Sequence, residues 1–498
     1  MPDPQLTIHL SILIFWPLAL GLLAATAPRA IAGLVGLLAA VIPLGYAILL
    51  LFDFHSGGGG LQYVTDAAWI DELGIRYKLG VDGLNLWLVA LTTLLFAASA
   101  LWVLLRPVER PKLFGFHLAL AETAVLGAFL AQDLALFVLF FDLMLVPFYF
   151  LVGQWGVGRR DEVVAATMKL IIYTLVGSLL MLAAAVATAV LAATEGRELS
   201  FVISDLAERP LPESTQRWIF AAFALAFLIK MPAFPFHGWM PDAYRTMPLP
   251  VLAVFSGVLS KVAAYGFLRV VLPIFPAAAE DFQTPVLVLA LASIIYGSAQ
   301  AFTQTNLRLI LGYSSVAQLG FITLGVFALD PEGRGAQGAL LQMVNHGLVV
   351  APLFFIIALL AERAGGSEDV RDMGGIAFRG PVLASLFLIV ALATLAIPGS
   401  ANFAGEFLIL LGLFQTKLAL AVIAFTGVVL ASVYMLRAYI GAMHNRTGKS
   451  VTSRDLGWRD GLVLVPLVLA ILAFALYPQQ ALRHSEPDAK AAIQRALP

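Results

Sequence analysis

Residues 223–237 read Phe-Ala-Leu-Ala-Phe-Leu-Ile-Lys230-Met-Pro232-Ala-Phe-Pro235-Phe-His237, an apolar run interrupted by a lysine and two prolines. Proline has no N–H and cannot bond the carbonyl four residues back, so the carbonyls of Leu228 and Met231 are expected to lose their helical partners. Such backbone is tolerated at membrane depth only beside protein or a wet cavity. A second apolar segment repeats the feature at Ile397-Pro398-Gly399-Ser400-Ala401-Asn402-Phe403-Ala404-Gly405-Glu406. One break has a lysine beside it, the other a glutamate. Paired interrupted segments in corresponding halves of a chain point to an inverted-repeat transport fold.

Outward from these breaks the chain is apolar almost throughout. Of its 498 residues, 60% are hydrophobic and only 12% charged, against about 25% charged in an ordinary soluble domain. A membrane span needs about 20 apolar residues. Spans are predicted near 6–27, 30–52, 83–105, 113–131, 134–153, 163–193, 217–246, 249–274, 284–303, 307–328, 337–361, 380–415, 417–441 and 461–478. The expected fold class is all-α: a polytopic membrane protein of about 14 transmembrane helices, of which the seventh and twelfth are broken. The spacing of the breaks fits two inverted five-helix repeats. Residues 1–112 would hold helices 1–3, residues 113–274 the first repeat, residues 284–441 the second, and residues 442–498 a loop, helix 14 and a tail.

Cationic loop residues concentrate on the cytoplasmic side of membrane proteins. With the N-terminus outside, Arg106, Arg110, Lys112, Arg159, Arg160, Arg446 and Arg454 fall inside, and the acidic 53–80 loop falls outside. Both termini are therefore expected outside, in a bacterial cytoplasmic membrane. Met1 to Gln5 lacks a basic n-region, so no cleavable signal peptide is expected. Gly57–Gly60 reads as a flexible loop tip.

The net charge of −1 argues against a nucleic-acid partner. The absence of cysteine excludes disulfides, thiolate metal sites and cysteine-ligated iron–sulfur clusters, so redox chemistry must lie in another chain. No Gly-x-Ser-x-Gly elbow, His-Glu-x-x-His pair or Walker loop is present. The scattered glycines read as helix-packing positions.

Glu122, Asp142, Lys169, Lys230, Lys261, His346 and Glu406 fall inside predicted spans. A charge at the bilayer centre costs about 2.5–3.5 kcal/mol on insertion scales, and the default reading of such residues is a proton or ion pathway. Burial disfavours the charged form of either kind of group, so a moving counter-charge can load and release a proton. Lys230 with Asp142 would form such a switch. Lys261 would relay between halves, and His346 would carry the proton onward. Gln342, Asn345, Gln318, Ser314 and Ser315 could hold water around that histidine. Each residue also has a plainer reading. Lys169 lies near a helix end and could snorkel; His346 could be a satisfied core histidine; Lys230 and Lys261 could sit in static ion pairs. Arg269 and Arg437, near helix ends, read as anchors.

The same residues carry a family resemblance. The passages are Leu79-Gly-Val-Asp82-Gly-Leu, Phe141-Asp142-Leu-Met-Leu-Val-Pro147-Phe-Tyr149, Lys169-Leu-Ile-Ile-Tyr-Thr, Lys230-x-Pro232-x-x-Pro235-x-His237-x-Trp239-Met-Pro241-Asp242-Ala, Lys261-Val-Ala-Ala-Tyr-Gly-Phe-Leu-Arg269, Gly312-Tyr313-Ser314-Ser315, Asn345-His346-Gly347, and Pro398-Gly399-x-x-Asn402-Phe-x-Gly405-Glu406-Phe-Leu. From about Tyr77 to Arg437 the chain resembles the antiporter-like subunits of NADH-quinone oxidoreductases, a family shared with multisubunit sodium/proton antiporters. Glu406 and the Phe-Asp-Leu-Met-Leu-Val-Pro passage favour its subunit M branch.

The resemblance implies an ion pair between Asp142 and Lys230, a central relay at Lys261, the next carrier at His346 and a terminal group at Glu406. Glu122 matches a family glutamate in the fourth helix. With Lys169 and His237, these complete the expected proton pathway; no catalytic, cofactor-binding or metal residue is assigned. The resemblance also implies FMN and iron–sulfur clusters in other subunits, and sibling antiporter-like subunits, the lipid bilayer and protons as partners. Three departures stand out. Asp142 replaces the usual glutamate, Gln318 stands where a histidine is common, and Tyr244-Arg-Thr-Met-Pro-Leu replaces the family's His-x-Glu-Ala-Pro-Thr.

Two other readings fit less of the sequence. One is the homologous component of a multisubunit cation/proton antiporter or of a membrane-bound hydrogenase. The other is a non-conducting scaffold, which would not need the buried lysines and carboxylates.

Overall fold

The computed structural model of the chain describes residues 9–57, 59–106, 108–193, 198–452 and 454–497. Helices α1 (Leu10–Thr26) and α2 (Arg29–Asp53) lead into strands β1 (Gln62–Ile70) and β2 (Ile75–Val81). There follow α3 (Leu86–Leu105), α4 (Pro111–Leu130), α5 (Leu134–Leu143), α6 (Leu145–Trp155) and α7 (Arg160–Ala192). Next come α8 (Ile203–Ala207), α9 (Glu213–Lys230), α10 (Met240–Thr246), α11 (Leu249–Ile274) and α12 (Pro276–Asp281). The second half holds α13 (Gln283–Thr303), α14 (Leu307–Val326), α15 (Arg334–Arg363), α16 (Pro381–Ala393), α17 (Ala401–Thr416), α18 (Leu418–Met443), α19 (Trp458–Leu476) and α20 (Gln479–Ala496).

Among the described residues, 11 helical segments are long and apolar enough to cross a membrane, with α5 and α6 taken as one. The apolar helices α1, α16 and α17 are shorter. Helices α11 and α14 are buried along their whole length and α15 nearly so, whereas α2, α18 and α19 turn most of their residues outward. Lipid solvates leucine as well as a protein core does, so apolar character does not decide which helix sits inside. Small residues and polar partners do, and α11, α14 and α15 carry both.

The first break falls between Lys230 and Phe236. The expected loss of backbone partners is only partial. Leu228 O accepts from Ala233 N at 3.0 Å, one residue beyond helical register. Ile229 O accepts from the Trp239 indole at 3.0 Å, and Phe234 N donates to Ser293 Oγ at 2.9 Å. The second break, residues 394–400, runs through positive φ at Ala396 and Gly399 before α17 begins.

Three features depart from the sequence reading. The segment 134–153 is one span, as expected, but its ladder loses a bond at Met144, two residues past Asp142, while the backbone there stays helical. Pro147 explains this, because it cannot donate to the carbonyl of Leu143. The 53–80 loop holds an antiparallel hairpin in which Thr65 faces Leu79 and Ala67 faces Tyr77. Strand β1 is mostly exposed and β2 half-buried to buried, and neither is a long apolar run, so the hydropathy that marks the spans gives no signal there. The tail contains α20, whose inner face packs His484, Ser485 and Asp488 into the protein.

Asp488 accepts from Gly60 N and Gly83 N, each at 2.7 Å. Gly60 is thus tied to α20, while Gly58 of the expected loop tip lies outside the described residues. Beside it Arg269 pairs with Asp82 and donates to Tyr265 Oη at 2.9 Å, so Arg269 is a buried partner and not an interfacial anchor. Asp488→Ala removes both acceptors and strands the buried Gly83 amide, at about 1–3 kcal/mol. The thermal midpoint of the detergent-solubilised protein should fall by several degrees, with Asp488→Asn in between. An unshifted midpoint in Asp488→Ala would show that α20 is held by packing alone.

Candidate functional site

Helix α11 carries Lys261 between two π-turns, Phe255–Leu259 and Phe267–Val271. A π-turn opens the i→i−4 ladder by one residue and recurs at functional positions. In the first of them Ser256 O accepts from Lys261 Nζ at 2.5 Å and from Ser260 Oγ at 3.4 Å. The lysine is 0% exposed. Its other partner is His346 Nδ1 on α15, at 2.7 Å. A lysine ammonium donates and never accepts, so this contact holds one proton shared by two bases: the histidine is neutral when the lysine is charged.

Glycines set that distance. A Cβ on Gly347 would come within 2.6 Å of both Gly257 O and Leu91 Cδ2, and a Cβ on Gly257 within 2.4 Å of Leu95 Cδ1. Helices α11 and α15 therefore cross with their backbones in contact, one residue from His346 and four from Lys261.

From this pair, polar groups step along α14 and α15. Ser256 Oγ lies 3.2 Å from Ser315 Oγ on α14. One turn on, Gln318 Nε2 donates to Glu406 Oε1 at 2.9 Å. Gln342, one turn before His346, donates to Gln318 Oε1 at 2.7 Å and to Glu406 Oε1 at 3.3 Å. Asn345 Nδ2 caps the break at Ala401 O, 2.6 Å away. Ser314 bonds Tyr434 Oη at 2.8 Å. The polar set expected around His346 is thus split. Ser315 adjoins the lysine–histidine pair, whereas Gln318 and Gln342 hold Glu406. Gln342 Oε1, Asn345 Oδ1, Asn402 Oδ1, Ser400 Oγ and Glu406 Oε2 are buried without protein partners, and all flank the second break.

The first half is looser. Lys230 Nζ donates to Phe141 O at 3.2 Å and sits 4.2 Å above the Phe141 ring. It makes no ion pair with Asp142 among the described residues. The expected ion pair is therefore absent from this conformation. The reason is geometric: the short carboxylate leaves α5 at the Met144 interruption, and its Oδ1 has no partner. A void of about 10 Å³ lies against Lys230, Trp239, Phe255 and Leu259, close to the least that one water occupies.

The remaining expected residues lie apart. Lys169 pairs with Asp242 at 2.8 Å and its side chain is 41% exposed, so it belongs to the surface and not to the buried row. His237 is buried among Phe234 and Tyr296, bonded to none of the lysines. Glu122 is 1% exposed and sits on α4 beside a separate cavity.

The family described as "NADH:quinone oxidoreductase/Mrp antiporter, TM" matches residues 131–432. NADH-quinone oxidoreductase subunit M of Rickettsia felis is 34% identical, over 90% of this chain and 89% of its own. Subunit M of Rhodobacter capsulatus is 35% identical, over 94% and 93%. A chain of respiratory complex I from Thermus thermophilus superposes with a TM-score of 0.88 at 30% identity, covering 98% of this chain and 99% of that one. This chain belongs to the family of NADH-quinone oxidoreductase subunit M.

Within the subunit M fold the departures acquire physical places. Gln318 is a full member of the Glu406 cluster, through hydrogen bonds and not a titrating ring. Tyr244 packs where α10 crosses α14: a Cβ on Gly312 would meet its ring at 3.0 Å. Arg308 on α14 secures that turn, donating to Met247 O at 2.5 Å while pairing with Glu368 at 2.5 Å. Sequence reasoning misses the π-turns, for which no residue pattern exists, and the Met144 interruption, for which Pro147 is the signal.

Gly347→Ala should drive α11 from α15 and lengthen the Lys261–His346 contact beyond hydrogen-bond reach. The overpacking should cost about 1–3 kcal/mol. A density map of the variant complex reads the first effect and a thermal midpoint the second. An unchanged 2.7 Å contact would show that the crossing does not set it.

Proposed function

We propose that this chain is a proton-translocating membrane-arm subunit of a respiratory NADH-quinone oxidoreductase. The observation that carries the reading is the fully buried Lys261–His346 contact, joined through Ser256 and Ser315 to the helices that hold Glu406. A proton arriving at Lys261 passes from Nζ to His346 Nδ1, and the ring releases another from Nε2. Unpartnered oxygens on Gln342, Asn345 and Asn402 line the way to Glu406. Water bridging them would complete the chain. Asp142, moving toward or away from Lys230, sets how firmly that lysine keeps its proton. Glu122 and His237 are auxiliary groups on this reading, and Lys169 pairs with Asp242 at the surface, outside the relay.

Electron transfer belongs to other subunits, which are expected to hold FMN and iron–sulfur clusters. The partners are those subunits, sibling antiporter-like chains and the bilayer, in a bacterial cytoplasmic membrane with both termini outside. Relatives named subunit M match about nine-tenths of the chain, which supports this reading over an antiporter component.

Lys261→Met keeps the apolar stem and removes the proton-binding atom. With assembly intact, NADH-driven proton pumping in sealed vesicles should fall at least tenfold, a loss of about 1.4 kcal/mol or more, and NADH-to-quinone electron transfer should fall with it. Normal pumping would end the relay reading. Asp142→Glu should close the gap to Lys230 and bring the two into direct contact. A density map in which Lys230 still faces Phe141 O would show that the interruption at Met144, not side-chain length, keeps them apart.

A further inference from the structure

Helices α2, α3 and α4 line a cavity of about 440 Å³ that reaches none of Lys230, Lys261, His346 or Glu406 and touches only the auxiliary Glu122. Small residues in membrane helices ordinarily let backbones approach closely. Gly33 does so here, its Cβ position 2.7 Å from Leu104 Cδ1, but Gly36 and Gly115 face open space: a Cβ built on either meets nothing within 4 Å. The bore is otherwise lined by alanine, leucine and valine, and Glu122 borders it. That carboxyl is nine-tenths buried and more, and its Oε1 has no partner. Arg106, Lys112 and Pro111 lie at the other end, on the side of the 106–110 loop. About 11 residues of α4 separate Pro111 from Glu122, so the bore reaches roughly 16 Å inward.

A second cavity of about 380 Å³ adjoins the first through Leu105 and Arg106. It is a polar cup bearing Arg454, Arg459 and Trp458. Arg106 is neutralised there by Asp460 at 2.8 Å and Glu362 at 3.2 Å. Arg454 and Arg459 make no ion pair among the described residues, so the cup keeps an excess of positive charge. Trp458, at the start of α19, is 71% exposed with the Arg459 guanidinium 5.4 Å from its ring. Tryptophan and arginine at a helix end mark headgroup level, and basic pockets between helices on that side take anionic headgroups.

We propose that the cup and the bore form one site for an anionic phospholipid of the surrounding bilayer, its phosphate among Arg106, Arg454 and Arg459 and one acyl chain in the bore against Glu122. The acyl chain separates that carboxyl from the open membrane.

The test uses the intact complex in vesicles containing phosphatidylglycerol with a photoreactive group near the end of one acyl chain, or the matched phosphatidylcholine. After irradiation, mass spectrometry should find phosphatidylglycerol on peptides spanning Gly36–Ala40 and Gly115–Glu122. It should exceed phosphatidylcholine about fivefold, as one basic residue near a headgroup implies. Gly115→Leu, whose Cβ meets nothing within 4 Å and whose side chain would occupy the bore, should abolish this labelling, and Gly36→Leu serves if that variant does not assemble. Replacing Arg454 and Arg459 with glutamine should bring the two lipids to parity. Persistent labelling with the bore filled, equal labelling by both lipids in the wild type, or cross-links from these peptides to another subunit would each overturn the proposal.

Discussion

A lysine without exposed surface, bonded to a histidine on the next helix, is the interaction around which the rest of the molecule is arranged. An ammonium at that depth has lost its water, and one good acceptor does not replace it. The structure adds a second in the carbonyl of Ser256, freed from the regular ladder by a π-turn. It then brings the two backbones together at Gly257 and Gly347, which puts the histidine within reach of the lysine. The burial of α11, α14 and α15 follows from the same need: every polar side chain in the row must be surrounded by helices that offer partners.

The two halves solve one problem in different ways. Around Glu406 the partners are the neutral amides of Gln318 and Gln342, and Gln342 Oε1 remains free. Around Lys230 the nearest partners are a carbonyl and an aromatic face, with the Asp142 carboxylate at a remove. A carboxylate in firm contact would fix the lysine in its charged form; one held off by a helix interruption leaves the charge state open to small movements. The interruptions near Asp142, Lys230 and Glu406 share a placement. Each lies within two turns of a titratable group that is itself held in a helix: Asp142 in α5, Lys230 at the end of α9 and Glu406 in α17.

Much of this is legible in the sequence. Apolar length locates the spans, because hydrocarbon admits only backbone that bonds itself. The prolines of both breaks are visible, as are Lys230, Lys261, His346 and Glu406, since charge inside an apolar run needs a reason. Lys169 is not, because a position along a helix does not say which way the side chain faces. Its partner Asp242 lies on another helix, 73 residues away. Arg269 escapes for the same reason: Asp82 is 187 residues distant. The hairpin gives no signal because its residues are neither apolar enough to span nor patterned enough to stand out.

The sequence by itself therefore determined which segments enter the membrane, where two of them break at proline and which ionisable groups go with them. These follow from local chemistry, from hydropathy and the missing N–H of proline. Tertiary structure alone decided which groups meet. It joined Lys261 to His346 across α11 and α15, held Asp142 away from Lys230, and gathered Gln318 and Gln342 on Glu406. Those outcomes rest on helix crossings set by glycine-sized contacts and on ladder shifts of a single residue. Both depend on what lies opposite in space, which no neighbour in the chain records.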